Sequence, residues 1–210
     1  MISVMQDHSV KDEDQAFLMR EFVDLQDGRA LVIGANEGNN NPSYSLIEKG
    51  WRAVCCEPNP FALSTFLTNQ TKYLEQITFV NCAITPTPGK VTPFYLAERT
   101  AMSSIDENWL RLQVERGVCP EDEAIQQQIL THTLSFQQLL NYVGADFNLV
   151  VIDAEGQDSK LLQSIDWNQL HKCTMVCVED IYDGAKVLEN VGFNFVHKSD
   201  HNYFYKRVLE

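Results

Sequence analysis

The chain has 210 residues, of which 44% are hydrophobic, and a formal net charge of −13. That length suits one α/β domain with a sizeable core, taken here to span residues 1–210. The negative balance argues against nucleic acid or an anionic membrane surface as a partner, since both need basic patches, and it is compatible with a cationic ligand.

The first residues lack a basic region followed by an apolar run, and no apolar run reaches membrane-spanning length, so the expectation is a cytoplasmic protein. The six cysteines lack paired C-x-x-C spacing and read as reduced, buried thiols. In chain order, Phe17, Leu18, Phe22 and Leu25 predict an amphipathic helix. ALVIGANEG then reads as a strand over residues 30–33 running into a turn, where Gly34 and Gly38 let a ligand approach the main chain. Asn41 and Pro42 predict a helix start and Gly50 its stop. A second strand over 53–56 ends on Glu57 and Pro58. Strand, glycine turn, helix, strand and acidic residue follow the order of a nucleotide-binding βαβ unit. Glu57 stands 23 residues after Gly34, close to the spacing at which a carboxylate reaches ribose hydroxyls. The spacing G-x-x-x-G, in place of G-x-G-x-x-G, favours a cofactor without a pyrophosphate, such as S-adenosylmethionine. Glycines that serve only packing are the plainer alternative.

Asn59 and Pro60 repeat the helix start, with Phe61, Leu63, Phe66 and Leu67 on the buried face. A third strand is expected over 77–84, ending in NCAI, then the turn TPTPG and a strand over 91–96 that Pro93 demotes to an edge. Residues 97–132 are polar and partly helical, and read as a lid or substrate segment. Ser135 caps a helix that Gly144 ends. FNLVVI, residues 147–152, is continuously apolar, as a central parallel strand is, and ends in Asp153-Ala154-Glu155-Gly156. A helix bearing Leu161, Leu162 and Ile165 follows, then a strand over 175–178 ending in Glu179 and Asp180, a further helix, and a closing hairpin. The alternation predicts a doubly wound, mainly parallel, Rossmann-like sheet with a C-terminal antiparallel hairpin. Ligands in such sheets bind beyond the carboxyl ends of the strands.

Taken together, IGANEG, EKGWRAVCCEPNP, NCAI, SSI at residues 103–105 and VVIDAEGQDSKLL resemble the FkbM-type methyltransferases, a branch of the class I S-adenosylmethionine-dependent enzymes. The resemblance covers roughly residues 29–165. It implies a seven-stranded sheet and methyl transfer to an oxygen of a sugar or small natural product. By position it implies that Gly34, Asn36 and Gly38 line the methionine part of the cofactor, and that Glu57, with Pro58 beside it, binds the ribose. Asn81, Cys82 and Ala83 would lie by the adenine, and Asp153 would face the methyl-transfer site. One departure stands out. The family carries an acidic residue two positions before the first glycine, where it helps fix the loop and the cofactor, and this chain has Val32. Glu37, inside the turn, is the candidate to compensate.

Methyl transfer from a sulfonium asks the protein for alignment and, for a hydroxyl acceptor, a base. The candidates are Asp153, Glu155 and His132. Asp153 and Glu155 serve one cleft only if the chain bends at Gly156. Otherwise Glu155 is a helix-start carboxylate, and His132 has the alternative of a solvated loop residue. Asp153, Glu179 and Asp180 also offer oxygens to a magnesium ion. Two rival readings stay open. One is a cofactor-binding protein without catalysis, which Val32 favours; the other is an NAD-dependent oxidoreductase, whose ribose Glu57 would serve as well.

Overall fold

A computed structural model describes residues 8–38, 41–87, 89–179 and 181–208. Helix α1 (His8–Glu21) leads into β1 (Arg29–Ile33), followed by α2 (Tyr44–Glu48), β2 (Arg52–Cys56), α3 (Pro60–Asn69), β3 (Ile77–Val80) and β4 (Ala83–Thr85). Next come β5 (Val91–Leu96), α4 (Glu107–Glu115), α5 (Glu121–Ala124), β6 (Gln127–Ser135) and α6 (Phe136–Val143). The elements β7 (Leu149–Ile152), α7 (Asp158–Ser164), β8 (Met175–Val178), α8 (Ala185–Asn190), β9 (Asn194–Lys198) and β10 (Tyr203–Lys206) follow.

The main sheet has seven strands in the order β3-β2-β1-β7-β8-β10-β9. Its strands run parallel except β10, which is antiparallel to both β8 and β9. Alternate residues of the central strands go to opposite faces, as the period of two demands. Leu31, Ile33, Val150 and Ile152 pack towards α6 and α7, against Leu139, Leu161 and Leu162. Ala30, Val32, Val151 and Cys177 pack on the other side with Phe17 and Leu18 of α1 and Leu46 and Ile47 of α2. Every residue of β7 and β8 is buried, which is why both read as unbroken apolar runs.

Three local features depart from expectation. Helix α2 begins at Tyr44 rather than at Pro42, because Asn41 Oδ1 accepts from the amide and hydroxyl of Ser43 (2.9 and 2.7 Å) and closes a turn first. The strand expected over 77–84 is two strands: β3 stays in the main sheet, while β4 joins a second, three-stranded sheet in the order β4-β6-β5. The expected segment 97–132 divides as well. Residues 97–126 carry α4 and α5, whereas the chain from Gln127 onward is the nine-residue β6, paired with β5 over residues 127–132 and with β4 over residues 133–135. Its buried positions include Thr131 and Thr133 rather than aliphatic residues, so the alternation is hard to see in sequence. Thr133 Oγ1 accepts from Lys90 N (2.9 Å) and donates to Lys90 O (3.0 Å), which makes a hydroxyl acceptable there. Pro93 does lie on an edge strand, β5.

Among the described residues no helix is long and apolar enough to cross a membrane. All six cysteines are unpaired and buried. Burial pushes the thiols of Cys55 and Cys173 up to about 12 and that of Cys82 up to about 11.

Val32 is 1% exposed and closed in by the α1 side of the core. A carboxylate placed there loses its hydration without gaining a designed partner. Val32→Asp is therefore expected to lower the unfolding free energy by about 2–5 kcal/mol, read as a drop in the urea midpoint. An unchanged midpoint would show that the position is not closed to water.

Candidate functional site

The site forms where the strand order reverses, between the carboxyl ends of β1 and β7. Gly34 ends β1 with φ +80, and a Cβ on it would lie 1.7 Å from the carbonyl oxygen of Asp153. Only glycine lets the two strand ends approach this closely. The amides of Gly34 and Ala35 both donate to Cys56 O (3.0 and 3.1 Å), which ties the turn to β2.

Glu57, at the end of β2, is 6% exposed. Its Oε2 accepts from the amide of Asn36 and its Oε1 from the amide of Asn59, each at 2.7 Å. Asn36 has φ 44, a left-handed conformation uncommon outside glycine, and its bond to Glu57 holds it there. Asn59 in turn caps α3, accepting from Phe61 N and Ala62 N. The side chain of Asn81 donates to Glu57 O (2.7 Å). Burial pushes the Glu57 carboxyl up to about 7, against the pull of the two backbone amides towards the ionised form.

An inner pocket is lined by Gly34, Asn36, Glu57, Pro58, Cys82 and Ala83 and reaches Asp153. It continues into an outer cleft of about 950 Å³, which shares Gly34, Asn36, Asp153 and Glu155 with it and extends to Asp14 and Glu179. The break between β3 and β4 is what turns Cys82 and Ala83 towards this space. Glu37, Gly38 and Asn81 stand beside the pocket and line neither part of it. Glu37 Oε1 accepts from the Thr100 hydroxyl (3.1 Å) and joins the glycine turn to the segment above. The structure does not bring His132 to the site: it is exposed on β6, opposite Val91.

Asp153 and Glu155 do meet. The chain turns at Glu155 itself (φ 41) and again at Gly156 (φ +86). Carboxylate oxygens of Asp153, Glu155 and Glu179 come within 4.8 Å of one another. The acid in the first turn of α7 is Asp158, whose Oδ1 accepts from Ala154 N (2.6 Å) ahead of the helix. Burial, and after it the charges of Glu179 and Glu155, hold the Asp153 carboxyl well above the usual range, with a hydrogen bond to Glu179. A magnesium ion prefers six oxygens in octahedral array. The trio offers one oxygen from each of three carboxylates, which does not by itself make up that array, and Asp180 lies outside the described residues.

Residues 97–109 roof the site. Ser103 Oγ accepts from Asn59 Nδ2 (3.3 Å) and Ala97 N (3.1 Å), and Ser104 Oγ donates to Glu155 O (2.7 Å). Asp106 Oδ2 accepts from Gln157 and Lys160. Trp109 of α4 lies so close to Gly156 that a Cβ there would sit 2.5 Å from the indole. Sequence reasoning missed Thr100, Trp109 and Asp14. Of these only Asp14 leaves a trace, as an acid one turn before Phe17 and Leu18 on an apolar helix face.

The Methyltransferase FkbM domain family matches residues 33–202. No functionally curated protein matches the sequence. Among solved structures, the chain is similar to a precorrin-6y C5,15-methyltransferase from Geobacter metallireducens, at 13% identity and a TM-score of 0.51, over 99% of this chain and 92% of that one. It is also similar to the Burkholderia thailandensis 1,6-didemethyltoxoflavin-N1-methyltransferase bound to 1,6-didemethyltoxoflavin and S-adenosylhomocysteine. That match has 14% identity and a TM-score of 0.47, over 98% of this chain and 82% of that one. At 13% identity the likeness to the first of these is one of fold alone.

Glu57 links stability to pH. The unfolded chain gives up this proton near 4.5, while the folded protein keeps it to about 7. The folded state therefore binds more protons between those values, and its stability falls as pH rises through them, by about 3 kcal/mol. Glu57→Gln is expected to remove that slope, measured as the difference between variant and parent unfolding free energies from pH 4.5 to 8. A constant difference across the range would refute the assignment.

Proposed function

Because this chain belongs to the FkbM methyltransferase domain family, we propose that it transfers a methyl group from S-adenosylmethionine to a hydroxyl of a sugar or small natural product. The observation that carries this reading is the Glu57 carboxylate, fixed at a strand end by two backbone amides on the wall of the inner pocket. Each oxygen keeps acceptor capacity for one ribose hydroxyl, and a charged acceptor favours such bonds.

The residues present fit the cofactor. Gly34 and Asn36 offer close backbone at the methionine end, and Cys82, Ala83 and Phe94 offer apolar walls for a base. Glu37, Gly38 and Asn81 act from behind: Glu37 anchors the roof and Asn81 braces Glu57. S-adenosylmethionine supplies a methyl on a sulfonium, open to in-line displacement by the acceptor oxygen. The chain's part is alignment and proton transfer. Asp153 Oδ1 is buried without a hydrogen-bond partner, and the trio of Asp153, Glu155 and Glu179 takes up the proton that leaves the acceptor hydroxyl. The roof, over the outer cleft, selects the acceptor. His132 has no part in this chemistry.

The reading without catalysis rested on Val32. The glycine turn is held by the bond from Asn36 N to Glu57 without any carboxylate at position 32, which weakens that ground. The oxidoreductase alternative finds no support in the family match. Six unpaired thiols agree with a cytoplasmic setting.

Calorimetry with S-adenosylhomocysteine and with NAD tests the proposal. The expected result is binding of the first alone, with one proton released near neutral pH. Affinity should rise about tenfold per unit up to pH 7 and then level off, since ribose hydroxyls favour the ionised Glu57. Glu57→Ala should weaken binding by about 1.5–3 kcal/mol. Binding of NAD, or of neither ligand, rejects the reading. With methyl-labelled cofactor and a panel of saccharides, Asp153→Asn should reduce label transfer by a factor of about 10²–10⁴ while leaving cofactor affinity within about threefold.

A further inference from the structure

Asp14 is 1% exposed, on α1, and lines the outer cleft together with Gly34 and Asn36. Its Oδ2 accepts from Asn202 Nδ2 (2.7 Å), in the turn between β9 and β10, while its Oδ1 is buried without a hydrogen-bond partner. Such an acceptor is unfavourable and calls for an explanation. One other side chain on the same cleft shares the condition, Asn36 through its Oδ1. Both are acceptors. Their complement is a ligand that presents N–H donors or positive charge.

Helix geometry says where Asp14 stands. It precedes Phe17 and Leu18 by three and four residues, so the three share one face. Phe17 and Leu18 pack in the same cluster as Val32. The next residue, Gln15, donates from its amide to Asn41 O (3.5 Å) and accepts from Ser45 Oγ (3.4 Å), so this turn of α1 lies along the segment that follows the glycine turn. The acid missing from the end of β1 thus has a counterpart delivered from a helix on the same side of the sheet. Burial raises the Asp14 carboxyl, an effect that a cationic ligand would oppose.

We propose that Asp14 Oδ1 receives the α-ammonium group of S-adenosylmethionine, and that α1 in this way replaces the carboxylate that position 32 lacks. The inference rests on the cofactor reading above. Asn202 sets the carboxylate's orientation, and Asn36 offers a second acceptor to the same end of the ligand.

The test compares three probes by calorimetry: S-adenosylhomocysteine, its desamino analogue, and 5′-methylthioadenosine, which has no amino-acid portion. The parent protein should prefer S-adenosylhomocysteine over the desamino analogue by at least about tenfold, the strength of one charge-assisted hydrogen bond. Asp14→Asn keeps the acceptor for Asn202 but removes the charge. It should cost S-adenosylhomocysteine about tenfold or more and leave the other two probes within about twofold. Asp14→Ser serves the same comparison if Asp14→Asn does not give the parent's circular dichroism. Equal weakening of all three probes overturns the inference. So does a parent protein that binds methylthioadenosine and does not distinguish the two longer probes, a result that needs no variant. If the parent binds none of the three, the cofactor reading itself fails.

Discussion

One buried carboxylate holds the functional end of this molecule together. Glu57 accepts an amide from the glycine turn after β1 and another from the start of α3, and its own carbonyl is braced by Asn81. Three chain segments that follow separate strands are thereby fixed to one point. Hydrogen bonds to a charged acceptor contribute about 1.5–3 kcal/mol each. A left-handed non-glycine residue costs about 1–3 kcal/mol. The bond to Asn36 is thus of the size needed to hold that residue in its strained conformation. The same carboxylate is buried enough that its proton affinity reaches the neutral range, so loop geometry and protonation are one problem.

The opposite wall follows a similar logic with weaker ties. Glu155 is also left-handed, and its carbonyl is held by the Ser104 hydroxyl, a neutral bond that contributes about 0.5–1.5 kcal/mol. The contact of Trp109 with Gly156 and the bonds from Gln157 and Lys160 to Asp106 tie the same segment to the roof. The roof is therefore part of what shapes the acid cluster. Its position depends on the turn that it covers.

Much of the main sheet was legible because its central strands are apolar on both faces and end in glycine or acid. Gly34, Glu57 and Asp153 followed from the same pattern. The second sheet was not legible. β6 turns Thr131 and Thr133 inward, where their hydroxyls donate to His132 O and Lys90 O, and no hydrophobic alternation marks it. His132 belonged to that strand rather than to a loop, and so left the site. The bend at Glu155 was also out of reach, since a left-handed glutamate is fixed by tertiary bonds and not by local preference. Asp14 had no visible role in sequence because its hydrogen-bond partner, Asn202, lies 188 residues away and the cleft it lines is assembled only by the fold.

The six buried thiols have a practical corollary. Each is chemically silent while the molecule is closed, because the thiolate is the reactive form and burial suppresses it. They differ in what must open to expose them. Cys82 lies in the wall of the inner pocket under the roof, while Cys173 and Cys177 sit at the centre of the core. A thiol-specific reagent would therefore act as a graded clock of breathing. Modification at Cys82 would count excursions of the roof, and modification at Cys173 or Cys177 would count passages through the unfolded chain.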